Sequence, residues 1–171
     1  MKTMFSSCRF VLVSLSIMLI APSAFAEYYD YEGIHIMLSG GGLEQALSGD
    51  LNRIAKPLIY AEASVGYKFD SIIFINGAFM ISYDENDDLH YALIPSIGLY
   101  LPLGITDLFA TTGIGPYLYD KKLSCIIDIA VGGDIYFLKT VFFNITNHFN
   151  YRLGFYSWSY HLMAGVGIRF W

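Results

Sequence analysis

From Phe143 onward the chain alternates. Phe143, Ile145, Asn147, Phe149 and Tyr151 take every second position, and Asn144, Thr146, His148, Asn150 and Arg152 lie between them. Successive side chains of a strand point to opposite faces, so this segment predicts a strand with one mostly apolar face and one polar face. The next segment repeats the pattern: Trp158, Tyr160, Leu162, Ala164, Val166, Ile168 and Phe170 alternate with Ser159, His161, Met163, Gly165, Gly167 and Arg169. Earlier stretches obey the same rule less cleanly. Ile127, Ile129, Val131, Ile135 and Phe137 face away from Asp128, Ala130, Gly132, Asp134 and Tyr136. Ile59 to Phe69 and Tyr91 to Leu99 alternate likewise, and residues 72–83, 108–119 and 34–40 complete eight predicted strands.

The connections are of two kinds. Short turns are expected at Phe69-Asp70-Ser71, near Pro102-Leu103-Gly104 and at Leu138-Lys139-Thr140. Longer or more polar ones are expected at 41–57, 84–88, 120–124 and 153–157. Such alternation suits an up-and-down meander with two different rims. Eight amphipathic strands close either as a soluble barrel or as a membrane one, and the choice turns on which face is apolar. Here the polar face carries small or pairable residues, while aromatics gather at strand ends: Tyr67, Phe69, Tyr136 and Phe137 toward one rim, and Tyr83, Tyr91, Tyr119, Tyr151, Trp158 and Tyr160 toward the other. Girdles of this kind mark two membrane interfaces. The longest apolar stretch, 89–106, alternates and contains His90, Pro95 and Pro102, so it does not read as a spanning helix. In hydrocarbon every backbone polar group must pair internally, which forces spanning strands to close. The fold class is therefore all-β, a transmembrane eight-stranded antiparallel up-and-down β-barrel.

Composition agrees: 55% of the 171 residues are hydrophobic, 17% aromatic and 15% charged, against about 25% charged in soluble domains. Residues 1–26 read as a secretory signal peptide. Lys2 and Arg9 precede the apolar run Phe10 to Ile20, and Ala24-Phe25-Ala26 is a small-x-small cleavage site. Residues 27–171 then form the barrel domain, with eight basic and fifteen acidic residues, a net charge of −7 that excludes a nucleic-acid partner. Cys8 leaves with the signal, and Cys125 has no internal partner for a disulfide.

Parity turns Glu62, Lys68, Asp128, Asp134, Arg152 and Arg169 inward. An eight-stranded barrel holds little besides its own side chains, so these charges are expected to pair in a packed polar lumen. A tight turn at Gly154-Phe155 sets His148 opposite His161 on the same inner face. Two histidines with no fixed third ligand make a weak metal site, and no metal or other cofactor is expected. Gly40-Gly41-Gly42 lacks a following Gly-Lys-Ser/Thr and reads as a loop entry. The region 42–57 places Leu43, Leu47, Leu51 and Ile54 at helical spacing, predicting a short amphipathic helix in a loop that caps the mouth or binds a partner. The acidic run Asp84, Glu85, Asp87 and Asp88 reads as a solvated turn, with a cation bridge to lipopolysaccharide as the alternative.

The last strand, Ala164-Gly165-Val166-Gly167-Ile168-Arg169-Phe170, resembles the final strand of small outer-membrane barrels of the OmpX, Ail, opacity-protein and OmpA-barrel group, and the layout is similar over residues 33–170. The resemblance implies a Gram-negative outer-membrane location, with membrane lipid, lipopolysaccharide, periplasmic chaperones and the outer-membrane assembly machinery as partners. It also implies an assembly signal read from a terminal aromatic, here Phe170 supported by Ile168, Val166 and Tyr160. The added Trp171 shifts the parity by one, leaving two candidates for the aromatic that is read. Adhesins of this group bind host surface ligands through long loops, a role for which only 42–57 qualifies here. Lipid A deacylases on similar scaffolds carry His-x-Ser on the penultimate strand and an acidic partner on the last. This chain has His148-Phe149-Asn150, and residues 157–171 contain no Asp or Glu, so a structural or surface-interaction role is expected and a lipid A acyl hydrolase is the alternative.

Overall fold

The computed structural model describes residues 32–48, 57–69, 72–84, 88–154 and 157–170. The segment 1–26 with Ala24 and Ala26, together with Glu85, Asp87 and Trp171, lies outside the described residues. Eight strands follow one another: β1 (Gly33–Ser48), β2 (Pro57–Lys68), β3 (Ile73–Asp84), β4 (Leu89–Pro102), β5 (Thr106–Tyr119), β6 (Lys122–Tyr136), β7 (Val141–Leu153) and β8 (Ser157–Phe170). Each pairs antiparallel with the next, and β1 pairs with β8 to close the barrel in chain order. The lower rim carries the ends of β1 and β8 and three short connections. There the Leu103 N–H donates to the Thr106 carbonyl at 2.7 Å, and Leu138 and Val141 exchange 3.3 Å bonds.

Two upper-rim expectations are corrected. β1 continues as a strand to Ser48, so no helix forms over residues 43–48. Gln45, Ala46 and Ser48 instead pair with Tyr160, Ser159 and Trp158, with register shifts on the way. Without them the upper end of β8 would lack its β1 partner, and ladder pairing outweighs a helical spacing interrupted by Gly49. Residues 49–56 lie outside the described residues. The connection expected over 120–124 is only the two-residue turn Asp120-Lys121, because Tyr119 already pairs with Lys122. Both turn residues have positive φ, 46° and 59°, the primed geometry whose twist matches that of the flanking strands.

The lumen is partly apolar rather than uniformly polar. Tyr60, Met80, Ile94, Tyr117, Ile126 and Met163 form a buried apolar layer inside the barrel. Two residues expected in the girdles point inward instead: Tyr136 is buried, and Tyr119 packs against this inner layer. Glycines opposite the rings make the lower lumen fillable. A β-carbon on Gly167 would collide with the Phe142 ring, and one on Gly66 would stand 2.5 Å from the Phe74 ring.

Candidate functional site

Charged side chains occupy the lumen at distinct heights. At the bottom, β2 ends by pointing Lys68 inward, where its Nζ donates to Asp107 Oδ2 at 2.7 Å, to Asp134 Oδ2 at 3.1 Å and to the Tyr136 hydroxyl at 3.3 Å. Tyr136 donates in turn to Asp107 Oδ2 at 3.1 Å. Asn144 Nδ2 donates to Asp134 Oδ1 at 2.7 Å, and Thr146 Oγ1 donates to Asn144 Oδ1 at 2.5 Å. The Arg169 guanidinium lies 5.0 Å from the Tyr136 ring centre and donates to the Lys139 carbonyl at 3.3 Å. Burying ions is costly unless they are paired and hydrogen-bonded, and Lys68 of β2 meets that condition by pairing with Asp107 of β5 and Asp134 of β6.

Halfway up, His148 stands between two carboxylates. Its Nδ1 is 3.1 Å from Asp128 Oδ1, and its Nε2 is 3.9 Å from Glu62 Oε2. His148 pairs across the hairpin with His161, and the rings stack at 4.9 Å and 2°. Tyr60 continues the stack beyond His161 at 4.0 Å and 3°. His161 Nδ1 lies 3.3 Å from Asn150 Nδ2. Above, an Arg152 N–H donates to the Tyr60 hydroxyl at 3.4 Å and the guanidinium sits 5.2 Å from the Tyr117 ring centre. The Tyr117 hydroxyl is 2.5 Å from His90 Nδ1.

All eight luminal residues singled out from the sequence, Glu62, Lys68, Asp128, Asp134, His148, Arg152, His161 and Arg169, are buried. They do not converge on one network: Lys68, Asp134 and Arg169 share the lower layer, Glu62, Asp128 and His148 the middle, His161 and Arg152 the upper. Asp107 was not among them, although the two-residue turn at 120–121 sets it directly opposite Asp134. Of the proposed assembly residues, Val166, Ile168 and Phe170 are exposed on the outer wall, whereas Tyr160 is buried.

Stacked parallel rings hold their ring-nitrogen lone pairs in two separate planes, so a single ion cannot lie in the planes of both His148 and His161. Among the described residues no group of three or more His, Cys, Asp or Glu is placed to hold a metal ion. Gly40 to Gly42 belong to β1 and pair with both its neighbours. Between the lower layer and the histidine stack lies a cavity of about 50 Å³, room for roughly three to five waters. Glu62, Ser64, Asn76, Thr111 and His148 line it. Glu62 Oε2 and His35 Nε2 are buried there with no hydrogen-bond partner among the described residues.

No family model matches the chain, and no curated protein matches it. Solved structures do. Neisserial surface protein A (NspA) is 17% identical with a TM-score of 0.65, over 81% of this chain and 97% of that one. Ail, the attachment invasion locus protein of Yersinia pestis, is 14% identical with a TM-score of 0.59, over 81% and 99%. The N-terminal β-barrel domain of Pseudomonas aeruginosa OprF is 13% identical with a TM-score of 0.58, over 81% and 98%. At these identities the likeness is one of architecture: the chain has the closed eight-stranded fold of the small outer-membrane barrels.

Proposed function

We propose that the chain is an integral outer-membrane protein with a structural or surface-interaction role in the cell envelope, and that it is not an enzyme. The observation that carries this reading is the inversion of the usual burial order. Leu38, Ile97 and Val166 are 63%, 56% and 56% exposed on the outer wall, while Arg152 and Arg169 are 2% and 1% exposed inside. Only a surround of lipid makes that arrangement favourable, since water would reward the opposite one. The side chains that fill the lumen support a non-conducting barrel, and His161, held between Tyr60 and His148, is committed to stacking rather than to activating a nucleophile.

In this reading residues 1–26 are removed at Ala24-Phe25-Ala26, and Phe170 or Trp171 is read by the assembly machinery after escort by periplasmic chaperones. Membrane lipid and lipopolysaccharide surround the wall, and the region 42–57 is the candidate contact for a host surface ligand. The test is gel mobility of the outer-membrane fraction with and without boiling. A heat-dependent shift is expected; identical mobility with recovery in the soluble periplasm would remove the proposal. Single cysteines at Ile129 and Ile145 are expected to resist water-borne thiol reagents in the membrane. Mass spectrometry of lipid A is expected to give the same acylation with and without the protein, and a lost acyl chain would favour the hydrolase instead.

A further inference from the structure

The β4–β5 ladder is interrupted once. Pairing runs to Ala92 opposite Tyr117 and resumes at Ser96 opposite Gly113. Four steps separate these pairs on each strand, so the register is unchanged and no residue is inserted. The absent pairs contain Pro95 on β4 and Pro116 on β5. On their other sides both strands pair continuously, Pro95 opposite Gly77 and Pro116 opposite Cys125. Both missing N–H groups therefore face the shared seam. Pro116 leaves the Leu93 carbonyl, and Pro95 the Ile114 carbonyl, without a ladder donor. The Leu93 oxygen lies so close to Gly115 that a β-carbon there would overlap it. A closed barrel has no edge strand, yet here it has a local edge. No other ladder among the described residues is interrupted with its register kept.

A second observation lies behind the seam. Gly113 and Gly115 have no side chains to brace its inner side, and Ile94 covers Gly113, its Cγ2 standing 2.7 Å from where a β-carbon would be. Ile94, Ser96 and Thr111 also line the luminal cavity. On the outer side Leu93 and Ile114 are exposed and apolar. The proline-interrupted stretch of the wall thus separates the cavity from the barrel exterior by one residue layer.

We propose that the β4–β5 seam is a lateral passage between the luminal cavity and the bilayer, taking small uncharged solutes that carry a hydrogen-bond donor. This rests on the membrane placement proposed above. An apolar outer lip admits uncharged molecules, two carbonyls without ladder donors accept from them, and Glu62 Oε2 offers a further acceptor within. The cavity volume sets the size.

The test uses the full barrel in phospholipid vesicles, with Cys125→Ser and a reporter Thr111→Cys. The probes are iodoacetamide, small, neutral and carrying amide N–H donors, and its anionic analogue iodoacetate, each rate being normalised to the unfolded protein. The neutral probe is expected to react at least about tenfold faster than the anionic one, and Pro95→Ala with Pro116→Ala, which restores two donors, to slow it about tenfold. Equal rates for the two probes, or a neutral rate unchanged by the proline substitutions, would overturn the passage. Should the double variant not insert, amide exchange of the parent decides. Leu93 and Ile114 amides are expected to exchange about tenfold faster than those of the unbroken β6–β7 ladder, and equal protection overturns the proposal. Heat-dependent mobility reports insertion separately. A chain that never enters the vesicles would overturn the membrane reading, and the passage with it, whereas an inserted chain without these rate differences overturns the passage alone.

Discussion

The Tyr160 hydroxyl donates a 2.7 Å hydrogen bond to Asn147 Oδ1. Asn147 has the outward parity of Ile145 and Phe149 on β7, yet it is buried, because Tyr160 of β8 lies across it with its ring 5.2 Å from that of Phe149. Asn147 Nδ2 reaches the Val131 carbonyl at 3.4 Å. A polar amide on the apolar outer wall is thereby bonded at both ends and roofed by an aromatic ring, which is how such a face tolerates it.

Tyr160→Phe keeps the roof and removes the donor. Its expected cost is about 1–2 kcal/mol of unfolding free energy, the penalty for a buried acceptor left without its partner. Adding Asn147→Leu should recover most of the loss. Reversible urea unfolding in lipid vesicles measures both, and a cost for Tyr160→Phe that persists in the double variant would contradict this coupling.

In the lower layer Asp107 stands directly opposite Asp134, and the Lys68 ammonium bonds to both. Lys68→Met should cost about 3–5 kcal/mol, because it leaves facing carboxylates buried without their cation. Asp107→Asn and Asp134→Asn on that background should restore stability in part. The same urea titration reports the order: parent, then triple variant, then Lys68→Met alone.

Gly167 exists in the space of the Phe142 ring. Gly167→Val should destabilise by about 1–3 kcal/mol through overpacking. Phe142→Leu, which shortens the intruding side chain, should suppress the defect. A Gly167→Val protein whose stability matches the parent would show that the ring moves freely.

The turn Asp120-Lys121 holds two non-glycine residues at positive φ. Asp adopts that region with a local hydrogen bond available, whereas Lys has no such compensation. Lys121→Gly should raise stability by about 1 kcal/mol, seen as a higher temperature for the shift in gel mobility.

The strands were legible because a period of two recurred eight times, and the tight turn at Gly154-Phe155 was enough to set His148 against His161. Asp107 was not, because it lies at the very start of β5, and its inward parity follows only once the turn at 120–121 is known to hold two residues. Tyr136 shares its parity with Asp134, but an aromatic beside a rim reads as a girdle residue until Asp107 and Lys68 are seen to receive it. The upper half of β1 was hidden for a different reason. Residues 43–48 carry a helical spacing of leucines, and only the length of β8 across the closure decides against it. The proline interruption depends on which residues of β4 and β5 face one another, a relationship set by the connection between them rather than by either strand.

The lower charge layer also bears on how the molecule comes together. Lys68 meets Asp107 and Asp134 across 39 and 66 residues of chain, and Arg152 meets Tyr60 across 92. No single hairpin contains a complete set of these partners, so a half-built sheet would hold bare ions on a largely apolar ribbon with nothing to neutralise them. Under the membrane placement proposed above, insertion and circularisation are then one event energetically: fragments have little reason to persist, and the last seam to zip, β1 against β8, converts an unfavourable ribbon into a self-sufficient cylinder.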